Sequence, residues 1–285
     1  MIVIRKLKQI YSSCQKYKNA GKRIGFVATM GTLHPGHLSL IKKARKENDI
    51  VIVSIFVNPS QFAPSEDFKK YPRNLKKDIV LCKKEGADII FAPEAKEMYP
   101  AGYRTFVDVS ELSQCLCGKS RPMHFRGVAT VVLKLFNLVQ PDTAYFGQKD
   151  AQQAVIIKKM VADLNVPVLI KVMPIVREGD GLAMSSRNRY LSPEERDEAV
   201  VLSRALKEAK MMIKQGERNT DIIIQRMRGI IMRKKIAKID YISIVYLDGL
   251  NMVSAISDKC LIALAVHIGK TRLIDNAIID LKKNG

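Results

Sequence analysis

Apolar positions along the first part of the chain switch between two periods. "KRIGFVATMG" (22–31) is a short apolar run that ends in a glycine turn. "GHLSLIKKARKEN" (36–48) then spaces Leu38, Ile41 and either Ala44 or the Arg45 stem along one helical stripe, and "DIVIVSIFVNP" (49–59) is a near-continuous β-branched run. Such a run suits a parallel strand buried on both faces. Strand, helix and strand within about 35 residues predict a right-handed βαβ unit. The alternation continues with a helix near 74–85, strands at "DIIFAP" (88–93) and "RTFVDV" (104–109), and an apolar helix over 127–139. A strand at "TAYFG" (143–147), a helix from Asp150 and a strand at "PVLIKVMPIV" (167–176) complete the series. The pattern predicts an α/β fold, a Rossmann-like doubly wound parallel sheet domain over residues 1–175.

The order of elements changes after about residue 176. "LSPEERDEAV" (191–200) opens a helix with Ser192 as N-cap, Pro193 at the first position and Glu195 closing a capping box. Two helices run to about residue 236, followed by strands at 240–248 and 259–268. Helices followed by strands predict a smaller α+β C-terminal domain, 176–285.

Composition narrows the class. The 285 residues are 47% hydrophobic and 27% charged, ordinary for a soluble globular protein. No apolar run reaches the ~18–20 residues that span a bilayer, so no membrane association is expected. The start, "MIVIRKLKQI", lacks a signal-peptide cleavage site, which makes the cytoplasm the expected location. Five irregularly spaced cysteines argue against a disulfide framework, and Cys115 and Cys117 form a CxC pair without a second pair to complete a zinc site. The net charge of +20 fits nucleic acid, anionic small substrates or a solvated lysine-rich surface. Residues 201–240 carry 11 Lys/Arg against 4 Asp/Glu, on amphipathic helical patterns where a solvated face is the simplest reading.

The chemistry concentrates in "ATMGTLHPGH" (28–37), which places two of the chain's four histidines between a strand and a helix. Ligands of doubly wound sheets bind beyond the carboxyl ends of the strands. Gly31 and Gly36 allow close backbone approach, and the helix start offers unpaired amides and a positive dipole end suited to phosphate. Imidazoles there can donate to phosphate oxygens. Two other readings stand beside this one: a capped turn with incidental polar residues, and a metal site, for which no acidic or third histidine ligand lies nearby. The stretch is neither a Walker A sequence nor GxGxxG.

"TLHPGH" has the HxGH form of the HIGH motif of nucleotidylyltransferases and class I aminoacyl-tRNA synthetases, and "MSSRN" (184–188) resembles the KMSKS-like loop that partners it. With "VNPSQF" (57–62), "YPRN" (71–74), "RPMHFRGVATVV" (121–132), "FGQKDAQQ" (146–153) and "REGDGLAMSSRNRYLS" (177–192), the chain resembles the pantoate–β-alanine ligase (pantothenate synthetase) family of the HIGH-motif superfamily. The resemblance runs from about residue 20 to 195 and weakens towards the C-terminus.

That resemblance implies ATP-dependent condensation of (R)-pantoate with β-alanine to pantothenate, through a pantoyl adenylate, with AMP and pyrophosphate released. It implies ATP with Mg²⁺ and a homodimer. By match to the family motifs, Met30, Gly31, Thr32, Leu33, His34, Pro35, Gly36 and His37 line the ATP site, with His34 and His37 on phosphate oxygens and His37 the proton donor. Gly147, Gln148, Lys149 and Asp150 form a second segment, where Lys149 gives the phosphates a point charge and Asp150 suits a helix start or Mg²⁺. Gln148 stands where other members often carry Glu. Val176 meets adenine through its backbone, and Met184, Ser185, Ser186 and Arg187 form a second phosphate clamp. Gln61 and Gln153 match the pantoate-binding glutamines, Gln61 also standing where β-alanine is expected. Asn58, Tyr71 and Arg121 are second-tier candidates. His124 can brace its loop, and His267 reads as a core histidine.

Two rivals remain. Another small-substrate nucleotidylyltransferase shares the HIGH-like loop but should lack "NPSQF" and "FGQKDAQQ". An RNA-binding module or tRNA synthetase fragment fits a pI near 9.8, but the chain is too short for an anticodon domain. Aromatic content is only 6% with no Trp, so no nucleic-acid partner is expected.

Overall fold

The computed structural model describes residues 1–64 and 66–283; the last two residues of the expected second domain lie outside them. The chain divides into two compact units. The first comprises Met1–Gln114, Arg121–Gln148 and Ile156–Pro174; the second takes Cys115–Ser120, Lys149–Val155 and the chain from Ile175 onwards.

The first unit runs β1 (Ile2–Ile4), α1 (Leu7–Asn19), β2 (Ile24–Thr29), α2 (Pro35–Glu47), β3 (Ile50–Ile55), α3 (Leu75–Lys84), β4 (Ile89–Phe91) and α4 (Ala95–Met98). The short α5 (Cys117–Ser120) belongs to the second unit, and α6 (His124–Val139), β5 (Thr143–Gly147), α7 (Ala151–Asp163) and β6 (Leu169–Met173) follow. The six strands form one parallel sheet in the order β1-β4-β3-β2-β5-β6. Alternate residues explain why the strands read as continuous apolar runs. Val27, Val51, Val53, Ile90 and Tyr145 face Leu40, Ile41 and Ala44 of α2 and Cys82 of α3. Phe26 and Phe146 point the other way and meet Phe136 of α6 edge-on. The side chains of the central strands are thus withdrawn from water on both faces, while Ile2 of β1 and Leu169 of β6 at the sheet edges stay exposed. The strand order reverses at β2, flanked by β3 and β5, so the carboxyl ends of β2 and β5 mark the switch point.

The expected strand over 104–109 is not formed. Residues 103–109 have no regular secondary structure, and the Val107 amide donates to the Thr130 hydroxyl of α6 at 2.9 Å rather than to a neighbouring strand. Phe106 lies under the Arg126 guanidinium, 4.3 Å from ring centroid to Cζ. The alternating pattern there serves packing on a helix, not a ladder.

In the second unit α8 (Pro193–Ala199), α9 (Val201–Lys214) and α10 (Thr220–Ile231) precede the antiparallel strands β7 (Ala237–Tyr246), β8 (Cys260–Ile268) and β9 (Thr271–Ile279). The capping box forms as its spacing predicts: Glu195 N donates to Ser192 Oγ at 3.2 Å and Ser192 N to Glu195 Oε2 at 2.9 Å. Leu202, Leu206 and Ile213 of α9 with Ile223 and Met227 of α10 bury against Ile262, Leu264 and Val266 of β8. All five cysteines are free. Among the described residues no helix is long and apolar enough to cross a membrane.

One polar cluster ties α2 to the sheet. Glu47 accepts from Lys43 at 2.7 Å, Tyr145 at 2.7 Å and Lys171 at 3.0 Å, while Asn48 donates to the Tyr145 hydroxyl at 2.8 Å. Gly25 leaves room for that amide; a Cβ there would stand 2.5 Å from Asn48 Nδ2. These donors lower the Glu47 carboxyl from 4.5 to about 2. A depressed carboxyl stabilises the fold above its unfolded value, and that contribution fades as pH falls from 4.5 towards 2. Glu47→Gln should therefore unfold more easily than wild type at neutral pH, with the difference closing across that interval in urea titrations at stepped pH.

Candidate active site

Between β2 and α2 the chain makes two consecutive left-handed residues, Gly31 at φ +82° and Thr32 at φ +52°. Glycine adopts this freely, but a β-branched threonine does so at a cost of about 1 kcal/mol. The compensation comes from α3. Asp78, 2% exposed, accepts from Thr32 N on Oδ2 and Leu33 N on Oδ1, both at 2.8 Å. Thr32 Oγ1 donates to Pro72 O at 2.7 Å, and Asn74 caps α3 by accepting from Lys77 N at 3.0 Å. The "YPRN" segment therefore supports the loop and starts the helix that carries Asp78. A Cβ on Gly31 would stand 2.9 Å from Asp78 Oδ2.

The helix begins at Pro35, with His34 as N-cap in an extended conformation. His34 O accepts from His37 N at 2.8 Å and Leu38 N at 3.1 Å, and the two imidazole centroids lie 4.0 Å apart. Both rings thus gather at the first turn of α2, where helix amides and dipole favour an anion. The Thr32 and Leu33 amides face Asp78 instead; they shape the loop.

Gln61, 8% exposed, sits in a 3₁₀ turn at Pro59–Gln61 and is built into a polar network. Asn58 Nδ2 donates to Gln61 Oε1 at 3.1 Å and to Gly127 O at 3.0 Å. Gln61 Nε2 points to Met30 Sδ at 3.1 Å, joining the turn to the glycine–histidine loop. Gly127 is required here, because a Cβ on it would collide with the Ser60 carbonyl. His124 bonds Gln61 O through Nδ1 at 2.8 Å, and Arg121 holds Glu66 bidentately at 2.6 and 2.7 Å. Burial works against the Glu66 carboxylate, but the Arg121 contacts outweigh it and keep its pKa below the ordinary value. Tyr71 is buried with its ring edge-on to Phe62.

In the second unit, the segment carrying Met184–Arg187 has its own scaffold. Arg177 makes a bidentate pair with the buried Asp275 at 2.7 and 2.9 Å and donates to Gly181 O at 2.9 Å. Glu178 accepts from Asn188 at 2.6 Å and from Arg196 at 2.8 Å. Val176 O accepts from Met184 N at 3.0 Å, and Ser185 Oγ accepts from Arg187 N at 3.2 Å, starting the 3₁₀ turn Ser186–Tyr190. Lys149 is fixed through its carbonyl, which accepts from Asn276 at 3.0 Å. Gln153 is half-buried near the start of α7, next to Gln152, which is buried and donates to Cys115 O at 2.8 Å. His267 is half-buried in β8 rather than in the core; burial and the neighbouring Arg272 lower its pKa.

Among the described residues no group of three or more His, Cys, Asp or Glu side chains could hold a metal. An ion delivered on nucleotide phosphates needs only one or two carboxylates, and Asp150, half-exposed with Lys149 Nζ 3.8 Å away, fits that single-ligand role.

Asp78, Gly127 and Asp275 escape a reading of motifs. One signal exists for Asp78: it interrupts the stripe Leu75, Ile79, Cys82 with a charge on the buried face of α3. Asp78→Asn replaces one acceptor with a donor that would oppose an N–H. Leaving one amide unpaired should lower stability by about 1–3 kcal/mol and speed hydrogen exchange at Thr32 and Leu33 above that at the α2 core, as NMR would report. Gly127→Ala should displace the 59–61 turn, with loss of the Asn58–Gln61 contact in a crystal structure.

Comparison with known proteins identifies the family. The Pantoate-beta-alanine ligase family matches residues 2–278. The pantothenate synthetase of Caldicellulosiruptor bescii is 55% identical over 282 residues, 99% of this chain and 100% of that protein. The crystal structure of pantothenate synthetase from Thermus thermophilus superposes with a TM-score of 0.93 at 42% identity, covering 97% of this chain and 99% of that one. The pantoate–β-alanine ligase of Francisella tularensis, solved with β-γ ATP and β-alanine, gives 0.79 at 38% identity, over 98% and 97% of the two chains. A match over nearly the whole chain at this identity leaves one conclusion: the chain belongs to the pantoate–β-alanine ligase family.

Proposed function

We propose that the protein joins (R)-pantoate to β-alanine in two half-reactions. The pantoate carboxylate attacks the α-phosphorus of ATP, giving pantoyl adenylate and pyrophosphate. The amine of β-alanine then attacks the acyl carbon, and AMP leaves with the bonding pair of the C–O bond. The observation that carries the reading is the loop held by Asp78, which gathers His34 and His37 at the first turn of α2. Attack at phosphorus needs in-line positioning and neutralised phosphate charge more than covalent help from the protein.

In this reading Met30 to His37 border ATP, His34 and His37 donate to phosphate oxygens, and His37 supplies a proton to the pyrophosphate side. Because Asp78 engages the Thr32 and Leu33 amides, the phosphate donors are the imidazoles and the start of α2. Gly147, Gln148 and Lys149 follow β5, with Lys149 a point charge for phosphate; Gln148 contributes through its backbone. Val176 offers backbone to adenine. Met184, Ser185, Ser186 and Arg187 take up charge on the leaving pyrophosphate. Gln61 and Gln153 hold pantoate, and Asp150 would hold Mg²⁺, which would offset phosphate charge. The family resemblance extends the reading to a cytoplasmic homodimer.

The test is ATP–pyrophosphate exchange with and without pantoate. Exchange that requires pantoate, followed by release of AMP and pantothenate when β-alanine is added, is the expected result. Exchange indifferent to pantoate would overturn it. His37→Ala should cut exchange by about 10²–10⁴-fold while the circular dichroism spectrum stays that of the wild type.

A further inference from the structure

Side-chain amides are two-faced, and which face meets a ligand decides what the ligand must offer. The Asn58 amide, 1% exposed, has no choice of face. Its Oδ1 lies 3.3 Å from the Ser60 backbone N–H, which only donates, and its Nδ2 lies 3.0 Å from Gly127 O, which only accepts. Reversing the amide would set donor against donor and acceptor against acceptor. The Tyr99 hydroxyl reinforces this sense by donating to Asn58 Oδ1 at 2.8 Å, alongside Ser60 Oγ at 2.9 Å. Burial pushes the Tyr99 phenol up to about 12, so it remains a donor across the working pH range. Its ring is wedged between Phe56 and Tyr103, with centroids 6.3 and 5.0 Å away.

The second Asn58 N–H then fixes the next amide. It meets Gln61 Oε1 at 3.1 Å, which turns the Gln61 NH₂ group towards Met30 and away from Asn58. Thioether sulfur is a weak acceptor, so a ligand oxygen can displace that contact at small cost. We infer that Tyr99 is a positioning residue for the acid substrate: its hydroxyl tightens the Asn58 amide in the sense that the Ser60 N–H and the Gly127 carbonyl dictate, so that Gln61 is held with its N–H donors free for a substrate bearing acceptor oxygens at that point. The inference rests on the reading that Gln61 binds pantoate, and deepens it.

Steady-state kinetics of Tyr99→Phe, Gln61→Ala and the double variant test it in the full-length protein. Tyr99→Phe removes one hydroxyl and keeps the ring, and Ser60 still opposes reversal. The KM for pantoate should rise about 3- to 10-fold, as for loss of one buried hydrogen bond, with the KM for ATP and the thermal midpoint little changed. The double variant should be no worse towards pantoate than Gln61→Ala alone, because Tyr99 acts only through that amide. Equal increases in both KM values, or effects that multiply in the double variant, would overturn the relay and leave Tyr99 a general structural role. If Gln61→Ala does not alter the KM for pantoate, the assignment of Gln61 falls, and the relay falls with it.

Discussion

Two backbone amides, those of Thr32 and Leu33, close on one buried carboxylate, and the glycine–histidine loop takes its shape from that contact. A carboxylate out of water is tolerable only with strong donors on its oxygens. A left-handed threonine is tolerable only where its surroundings over-determine it. Asp78 and Thr32 each supply what the other lacks. The consequences spread outward. Asn74 must cap α3 at the residue that aims Asp78, Pro72 O must receive the Thr32 hydroxyl, and Gly31 must lack a side chain. Only then does the chain enter α2 at Pro35 with both imidazoles on its first turn.

The second unit repeats the principle with different groups. Asp275 lies buried in β9 and is held bidentately by Arg177, which also secures Gly181 O. Glu178 then ties Asn188 and Arg196 to the same segment. Removing Arg177 would leave the buried Asp275 carboxylate without its charged partner, which destabilises the fold. In a chain with 48 basic and only 28 acidic residues, Asp78, Asp275, Glu66 and Glu178 are spent on holding loops rather than on balancing the surface. The lysine surplus is a surface property. These four carboxylates are architecture.

How much of this was legible in the sequence depended on the range of the interaction. β2, α2 and β3 were readable because burial on one or both faces imposes a period that a short window reveals. α1 was not, since only Ile10 and Cys14 of "LKQIYSSCQKYKN" are buried and the stripe is too thin to see. β9 was hidden for the opposite reason: Asp275 and Asn276 interrupt its apolar run, and both are buried polar residues with partners far away, Arg177 and the Lys149 carbonyl. The strand expected over 104–109 failed because an alternating pattern does not say whether sheet or helix receives its apolar side. In the candidate site, glycines and histidines announce a tight, polar loop at the head of a helix. Asp78 announces nothing of the kind, because its role exists only through two amides 45 and 46 residues earlier.

The same distinction separates residues that can meet a ligand from those that decide how the ligand is met. Motif residues such as Gln61 carry a chemical type, a neutral amide, which both donates and accepts. What breaks that symmetry is the backbone N–H of Ser60 and the carbonyl of Gly127, groups every sequence possesses and no motif records. Asn58 transmits their fixed polarity to Gln61 because a buried amide cannot leave its donors facing donors without losing more than a hydrogen bond is worth. Gly127 enters this chain of cause by lacking a side chain, which lets α6 come close enough for its carbonyl to take part. A position that looks like helix packing in the sequence therefore helps determine which face of the Gln61 amide is left free.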